Sequence, residues 1–213
     1  MSLTLRDWKR PDRGVLFVVT GCSGTGKTTL VREALTMLPG LEFSVSATTR
    51  PIREGETDGV DYRFVDTTTF ESMVQGNALL EWAEVYGNRY GTPRAPVEDA
   101  LSEGRSILLE IDAQGARQVR ETLPEAVTLF VLPPSLEVIE QRLRSRSTDT
   151  EQVITRRMAE AQAQLQDCGL FDYLVVNGDL ASAHDVFQSI LVAEMQRTKR
   201  RQSWVGRFAP SSI

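Results

Sequence analysis

The first unbroken apolar run, Val15 to Val19, predicts a strand reaching Thr20 and buried on both faces, because no polar residue alternates with the apolar ones. From about Lys27 to Leu38 apolar residues recur at helical spacing until Pro39-Gly40 ends the pattern. The rhythm then changes. Phe43 to Thr48 alternates as a short strand and Val60 to Val65 as another; Thr68 with Glu71 forms a capping box for a helix reaching Val74, and Ala78 to Tyr86 is extended again. Strands without long helices between them read as a small subdomain inserted into the main fold.

After this block the strand-helix alternation returns. Val97 to Ser102 reads as helix, Ser106 to Ile111 as a buried strand, Gln114 to Leu123 as helix, and Val127 to Leu132 as a strand ended by Pro133-Pro134. Ser135 to Arg144 and Glu151 to Gln166 are two helices joined by a polar link, Ser145 to Thr150, with the composition of a mobile excursion. Tyr173 to Val176 is the last strand and Leu180 to Gln196 the closing helix. Such alternation predicts an α/β fold whose parallel sheet is covered by helices on both faces. Residues 1–13 and 198–213 lack apolar periodicity and are expected to be flexible tails, the second carrying Lys199, Arg200, Arg201 and Arg207 as a solvated end.

With 213 residues, 41% hydrophobic and 25% charged, the chain can bury one substantial core, and disorder of the whole is excluded. A formal charge of -5 argues against nucleic acid as a partner but permits an anionic small substrate where arginines are concentrated. Cys22 and Cys168 make no disulfide framework, and no stretch approaches the ~18 apolar residues of a membrane span or the apolar core of a secretion signal, so a reducing cytoplasm is the expected setting. The single histidine, His184, falls in the closing helix and reads as a surface or packing residue.

Candidate chemistry is concentrated behind the first strand. Gly21-Cys22-Ser23-Gly24-Thr25-Gly26-Lys27-Thr28 spells G-x-x-x-x-G-K-T between a strand and a helix, the arrangement of a phosphate-binding loop. The glycines let backbone N–H groups wrap a phosphate, Lys27 adds a point charge toward the β and γ phosphates, and the Thr28 hydroxyl is a ligand for the Mg²⁺ that accompanies ATP. Thr29 joins these residues in the expected ATP site. Cys22 at a helix N-terminus is either a reactive thiol or simply a small residue filling the loop. The strand ending Glu110-Ile111-Asp112 places carboxylates where a phosphate-loop fold holds an acidic group near the metal and the acceptor phosphate, Asp112 acting on the metal indirectly.

Four further segments narrow the picture: Ser44 to Arg53, Gly59 to Phe64, Leu80 to Glu84 through Gly87 to Thr92, and Leu109 to Gly115. Together with the phosphate loop the chain resembles the guanylate kinase family from about Val15 to Arg197. The resemblance implies the P-loop nucleoside monophosphate kinase fold, with a core of residues 14–45, 93–135 and 167–197, a GMP-binding subdomain at 46–92 and a lid at 136–166. It implies transfer of a phosphoryl group from ATP to GMP, and by extension to dGMP. Arg50 and Arg53 offer two guanidinium forks, with the phenols of Tyr62 and Tyr90 as further donors, a cage suited to a phosphate monoester. Glu81 lies in an otherwise apolar stretch, and its carboxylate matches the N1–H and 2-amino donors of guanine. By resemblance Ser46 and Thr92 also contact the base, Glu110 and Asp112 belong to the GMP site, and Asn177 meets the adenine. The lid arginines Arg142, Arg146 and Arg157 are implied to close on the transferring phosphoryl, with Arg142 also on the ATP side.

Two departures from the family pattern stand out. Cys22 replaces a proline usual in the loop, and Ser145-Arg146-Ser147 stands where glycines commonly flank the lid arginine. Two other functions compete with the kinase reading: an interaction module that keeps the fold without catalysis, and a P-loop kinase acting on a phosphorylated sugar. An intact Gly26-Lys27-Thr28 weighs against the first and Glu81 with its paired hydroxyls against the second.

Overall fold

The computed structural model describes residues 9–85, 87–144 and 151–208. Its centre is a five-stranded parallel sheet of β1 (Leu16–Thr20), β2 (Leu41–Phe43), β7 (Ser106–Glu110), β8 (Val127–Leu132) and β9 (Tyr173–Val176), in the spatial order β2-β7-β1-β8-β9. β1 pairs with β7 along one edge and β8 along the other, and helices cover both of its faces, as its unbroken apolar run requires. Phe17 and Val19 pack against Leu30, Val31 and Ala34 of α1 (Lys27–Met37) and Phe187 and Leu191 of α7 (Leu180–Met195). Leu16 and Val18 face the opposite way, toward Val97 and Ala100 of α3 (Arg94–Ser102) and Ala116 and Val119 of α4 (Ala113–Thr122). A third cluster joins Phe130 of β8 to Ile139 and Leu143 of α5 (Leu136–Arg144) and Ile154 and Ala161 of α6 (Glu151–Gln166).

A second sheet of four strands, ordered β4-β3-β6-β5, is formed by β3 (Ala47–Thr48), β4 (Arg63–Phe64), β5 (Leu79–Val85) and β6 (Asn88–Pro93). Its own small core is Ala47, Leu79 and Phe70, the last from α2 (Thr67–Gln75). Among the described residues no helix is long and apolar enough to cross a membrane.

Three local expectations are corrected. The strand expected over Phe43 to Thr48 is divided: Ser44 N–H still donates to Leu108 of the core sheet at 3.1 Å, while Ser46 C=O already accepts from Arg63 at 2.8 Å, so the chain changes sheets within three residues. The strand expected from Val60 shrinks to Arg63–Phe64, because Asp61 and Asp58 accept from the N–H groups of Thr57 and Phe64 at 2.8 and 2.9 Å and hold the preceding segment as a turn. Asp66, not Thr68, caps α2: its carboxylate accepts from Thr69 N–H at 2.6 Å, and Glu71 pairs with Arg89 instead.

The segment from 198 is also unlike the expected loose end. A 3₁₀ turn (Thr198–Arg200) leads into α8 (Gln202–Phe208), and both fold back on the start of the described chain. Asp12 accepts from the backbone and hydroxyl of Ser203, Arg201 donates to the carbonyls of Lys9 and Arg10 at 2.7 and 2.9 Å, and Arg200 is buried with a bond to Glu125 C=O. Contacts across nearly the full length of the chain decide this, and no periodicity within the segment announces them. His184 is a packing residue, buried on α7 with Nδ1 3.9 Å from Glu33 of α1.

Candidate active site

The phosphate loop owes its shape to close backbone approaches. Gly21, at φ 144°, lies where a Cβ would sit 2.4 Å from Val131 C=O, and Gly26, at φ 86°, where one would meet the Asn177 amide at 2.4 Å. No side chain caps α1, whose first residue is Lys27, so the positive end of that helix faces the loop. The Lys27 ammonium donates to the carbonyls of Gly21 and Cys22 at 2.5 and 2.9 Å, and burial lowers its pKa. Ser23 is exposed at the loop's tip.

Two loop side chains turn inward. Thr25 donates its hydroxyl to Cys22 C=O at 2.9 Å, and Cys22 packs fully buried against α6, its thiol donating to Ala161 C=O at 3.3 Å. Burial pushes that thiol up, which favours the filling role over the reactive one. Asn177, at the end of β9, is buried and donates its amide to Thr25 C=O at 2.7 Å. It therefore braces the loop as well as bordering a cleft of about 330 Å³ with Gly24, Gly26, Thr29 and Arg142. Arg142 donates to Gly24 C=O and Asn177 C=O, both at 3.3 Å.

A larger cleft of about 640 Å³ starts at the same loop and runs to the second sheet, bringing together Lys27, Thr28, Ser46, Tyr62, Glu81, Tyr90, Glu110 and Asp112. Thr28 donates its hydroxyl to Glu110 at 2.8 Å. Asp112 caps α4, accepting from Gly115 N–H at 2.8 Å.

Glu81 enters this cleft because β5 is irregular. The β5–β6 register slips by one residue between Leu79 and Trp82, so those two side chains both lie toward Phe70, while Leu80 packs in the core and Glu81 lines the cleft. A regular strand would send Leu79 and Trp82 to opposite faces; a bulge re-aims the carboxylate. Glu81 is 5% exposed, and one of its oxygens accepts from the hydroxyl of buried Thr92 at 2.7 Å. Burial, with a smaller contribution from the Asp112 charge, raises its pKa to about 7.

Beyond Tyr62 and Tyr90, whose rings meet edge to face with centroids 5.8 Å apart, lies Arg50. Its guanidinium stands over the Tyr62 ring and donates to Glu56 at 2.7 Å and Pro51 C=O at 2.8 Å. Glu56 also accepts from Arg53 N–H at 2.8 Å, so one carboxylate joins the two arginine positions. Sequence reasoning passed over Glu56; a carboxylate six residues from an arginine carries no periodic signal. Among the expected residues, Arg53 is exposed and Arg157 half-buried on α6, and neither lines the two clefts; Arg146 lies outside the described residues.

The sequence model described as guanylate kinase matches residues 13–194. A guanylate kinase of Bradyrhizobium diazoefficiens is 51% identical over 195 residues, covering 91% of this chain and 89% of the relative. One from Carboxydothermus hydrogenoformans is 48% identical over 188 residues, covering 88% and 92%. Among solved structures, the guanylate kinase from Anaplasma phagocytophilum matches with a TM-score of 0.73 at 34% identity, over 90% of this chain and 92% of that one.

Proposed function

This chain belongs to the guanylate kinase family and transfers the γ-phosphoryl group of ATP to GMP, giving ADP and GDP, and we propose the following division of that work among its residues. The phosphate loop and Lys27 receive the β and γ phosphates, and the adenine side of ATP enters the smaller cleft beside Asn177 and Arg142. GMP occupies the larger cleft, its base toward Glu81, Ser46 and Thr92 and its phosphate toward Arg50, Arg53, Tyr62 and Tyr90.

One observation carries the reading: a buried carboxylate, Glu81, forms the wall of the cleft whose other end is Lys27. Thr92 occupies one lone pair of one oxygen, which leaves acceptor capacity for the two parallel donors of guanine. Adenine has an acceptor at N1 and no 2-amino group, and would leave the carboxylate desolvated and unpaired. The assigned contacts go to base and phosphate and none to a 2′-hydroxyl, so dGMP is an acceptor as well.

A GMP phosphate oxygen is already an anionic nucleophile. Transfer therefore needs positioning and charge neutralisation rather than a strong base or a covalent intermediate. Lys27, Arg50 and the lid arginines Arg146 and Arg157 supply that charge. The Thr28 hydroxyl beside the Glu110 carboxylate is a hard oxygen set suited to Mg²⁺, with Thr28 as ligand and Asp112 acting through water. When bound with ATP, the metal neutralises phosphate charge. The free thiols Cys22 and Cys168 support a cytoplasmic setting.

The test is ADP release by the purified chain with ATP and a panel of nucleoside monophosphates. GMP and dGMP should turn over, with AMP, CMP and UMP slower by orders of magnitude; equal rates with AMP would remove the assigned base pocket.

A further inference from the structure

Gly115 sits in the first turn of α4 and is buried, yet its backbone makes no demand for glycine, since it lies in regular helix without a positive φ. Alanine is the better helix former at such a position. What excludes it is Glu81. A Cβ on Gly115 would lie 2.5 Å from Oε2 and 3.2 Å from Cδ of that carboxylate, against 3.3 Å from the Ile111 Cδ1 methyl, which rotates away more easily, so the carboxylate rests directly on the bare Cα.

Both partners are held in place by hydrogen bonds. The other carboxylate oxygen of Glu81 is held by Thr92 at 2.7 Å. The helix is pinned to β5 by Gln118, three residues on, whose amide accepts from Trp82 N–H at 3.1 Å and donates to Trp82 C=O at 2.8 Å. This clasp satisfies backbone groups of an edge strand immediately after its bulge, fixing the spacing between α4 and Glu81. Gly115 N–H meanwhile donates to Asp112, so the residue lies between the two carboxylates of the acceptor pocket.

We propose that Gly115 is a specificity-determining positioning residue: its missing side chain sets the depth and plane of the Glu81 carboxylate, and so the preference for guanine over adenine. This rests on the assignment of Glu81 as the reader of guanine. A methyl group at 115 pushes the carboxylate into the space the base must occupy or breaks its bond to Thr92; either costs guanine recognition and leaves the phosphate loop untouched.

The experiment compares Gly115→Ala, Glu81→Ala and the double variant by steady-state kinetics with GMP, AMP and ATP, and by thermal melting. Gly115→Ala should raise KM for GMP and lower the ratio of kcat/KM for GMP over AMP by about tenfold or more, with KM for ATP within about twofold of the parent. In the double variant the methyl has no carboxylate to displace, so its discrimination should equal that of Glu81→Ala alone. A merely structural glycine would give additive losses instead. A Gly115→Ala protein with the parent GMP-to-AMP ratio, or additive losses in the double variant, overturns the proposal while leaving Glu81 in place. An unaltered ratio in Glu81→Ala overturns the base-pocket reading itself. Should Gly115→Ala fail to fold, the double variant must fold and melt no lower than Glu81→Ala; a double variant that is also unfolded contradicts the contact.

Discussion

The phosphate loop draws its shape from consecutive residues, Gly21 to Thr28, whereas the acceptor pocket we propose is assembled from side chains at positions 46, 50, 62, 81, 90, 92 and 112. In the loop the working groups are mostly backbone, placed by glycine dihedrals and the start of α1, and its Lys27 is the main side chain that acts. In the pocket they are carboxylates, phenols and a guanidinium whose positions depend on a bulge, a helix cap and a clasp between α4 and β5. Binding a phosphate asks only for N–H groups and positive charge, which any sequence of the right local form supplies. Distinguishing one purine from another needs a buried group of fixed depth, and only packing between distant segments provides that.

The sharpest attempt to break this contrast is Glu81→Ala. It should lower kcat/KM for GMP on the order of 10³ and erase most of the preference over AMP, with ATP affinity nearly unchanged. A GMP-to-AMP ratio equal to the parent's in steady-state kinetics would mean that guanine is read elsewhere. Lys27→Ala strikes the other region. We expect kcat reduced by roughly 10² or more with the fold intact by circular dichroism and with base preference retained; near-parent turnover would deny Lys27 its role.

Proton concentration separates the regions without mutation. Glu81, raised to about 7, is neutral below that pH and ionised above it, and only the ionised form accepts both guanine donors. The kcat/KM ratio for GMP over AMP should therefore fall by up to about tenfold per pH unit below 7; the phosphates of the two substrates titrate alike and cancel. Glu81→Gln should flatten the profile, and an equally steep profile in that variant would assign the titration to another group. Folding follows the same proton. Between the ordinary carboxylate value of 4.5 and about 7 the folded chain holds a proton that the unfolded chain releases, so this group's contribution to stability declines as pH rises through that window. The decline should be absent in Glu81→Gln by denaturant titration across that range.

The smallest effect tests whether the loop is wholly local. Asn177 braces it from β9 through the Thr25 carbonyl, a buried bond worth about 1–3 kcal/mol when left unsatisfied. Asn177→Ala should raise KM for ATP several-fold and lower the melting temperature modestly while leaving GMP discrimination alone. A loss of discrimination equal to the loss in ATP binding would show that the two regions are coupled more tightly than their construction suggests.

Much of this was legible in the chain. The runs at 127–132 and 173–176 became strands with those bounds, and the loop, the acidic end of β7 and the isolated carboxylate at 81 could all be named from residue type and spacing. Other features carried no such signal. The bulge that turns Glu81 inward breaks the alternation by one residue, the pairing of Glu56 with Arg50 spans a turn without periodicity, and Gly115 reads as one more helical glycine.

The sequence by itself determined the α/β order and the phosphate loop, because hydrophobic period, glycine conformations and a lysine at a helix start are properties of neighbouring residues, and its resemblance to known relatives gave the family. Only the tertiary structure decided the depth at which Glu81 lies, the bracing of the loop by Asn177, the inward turn of Cys22 and the docking of 198–208 onto Asp12. Each of these is a contact between groups 11 residues or more apart in the chain, and its energy exists only once folding has brought them within bonding distance.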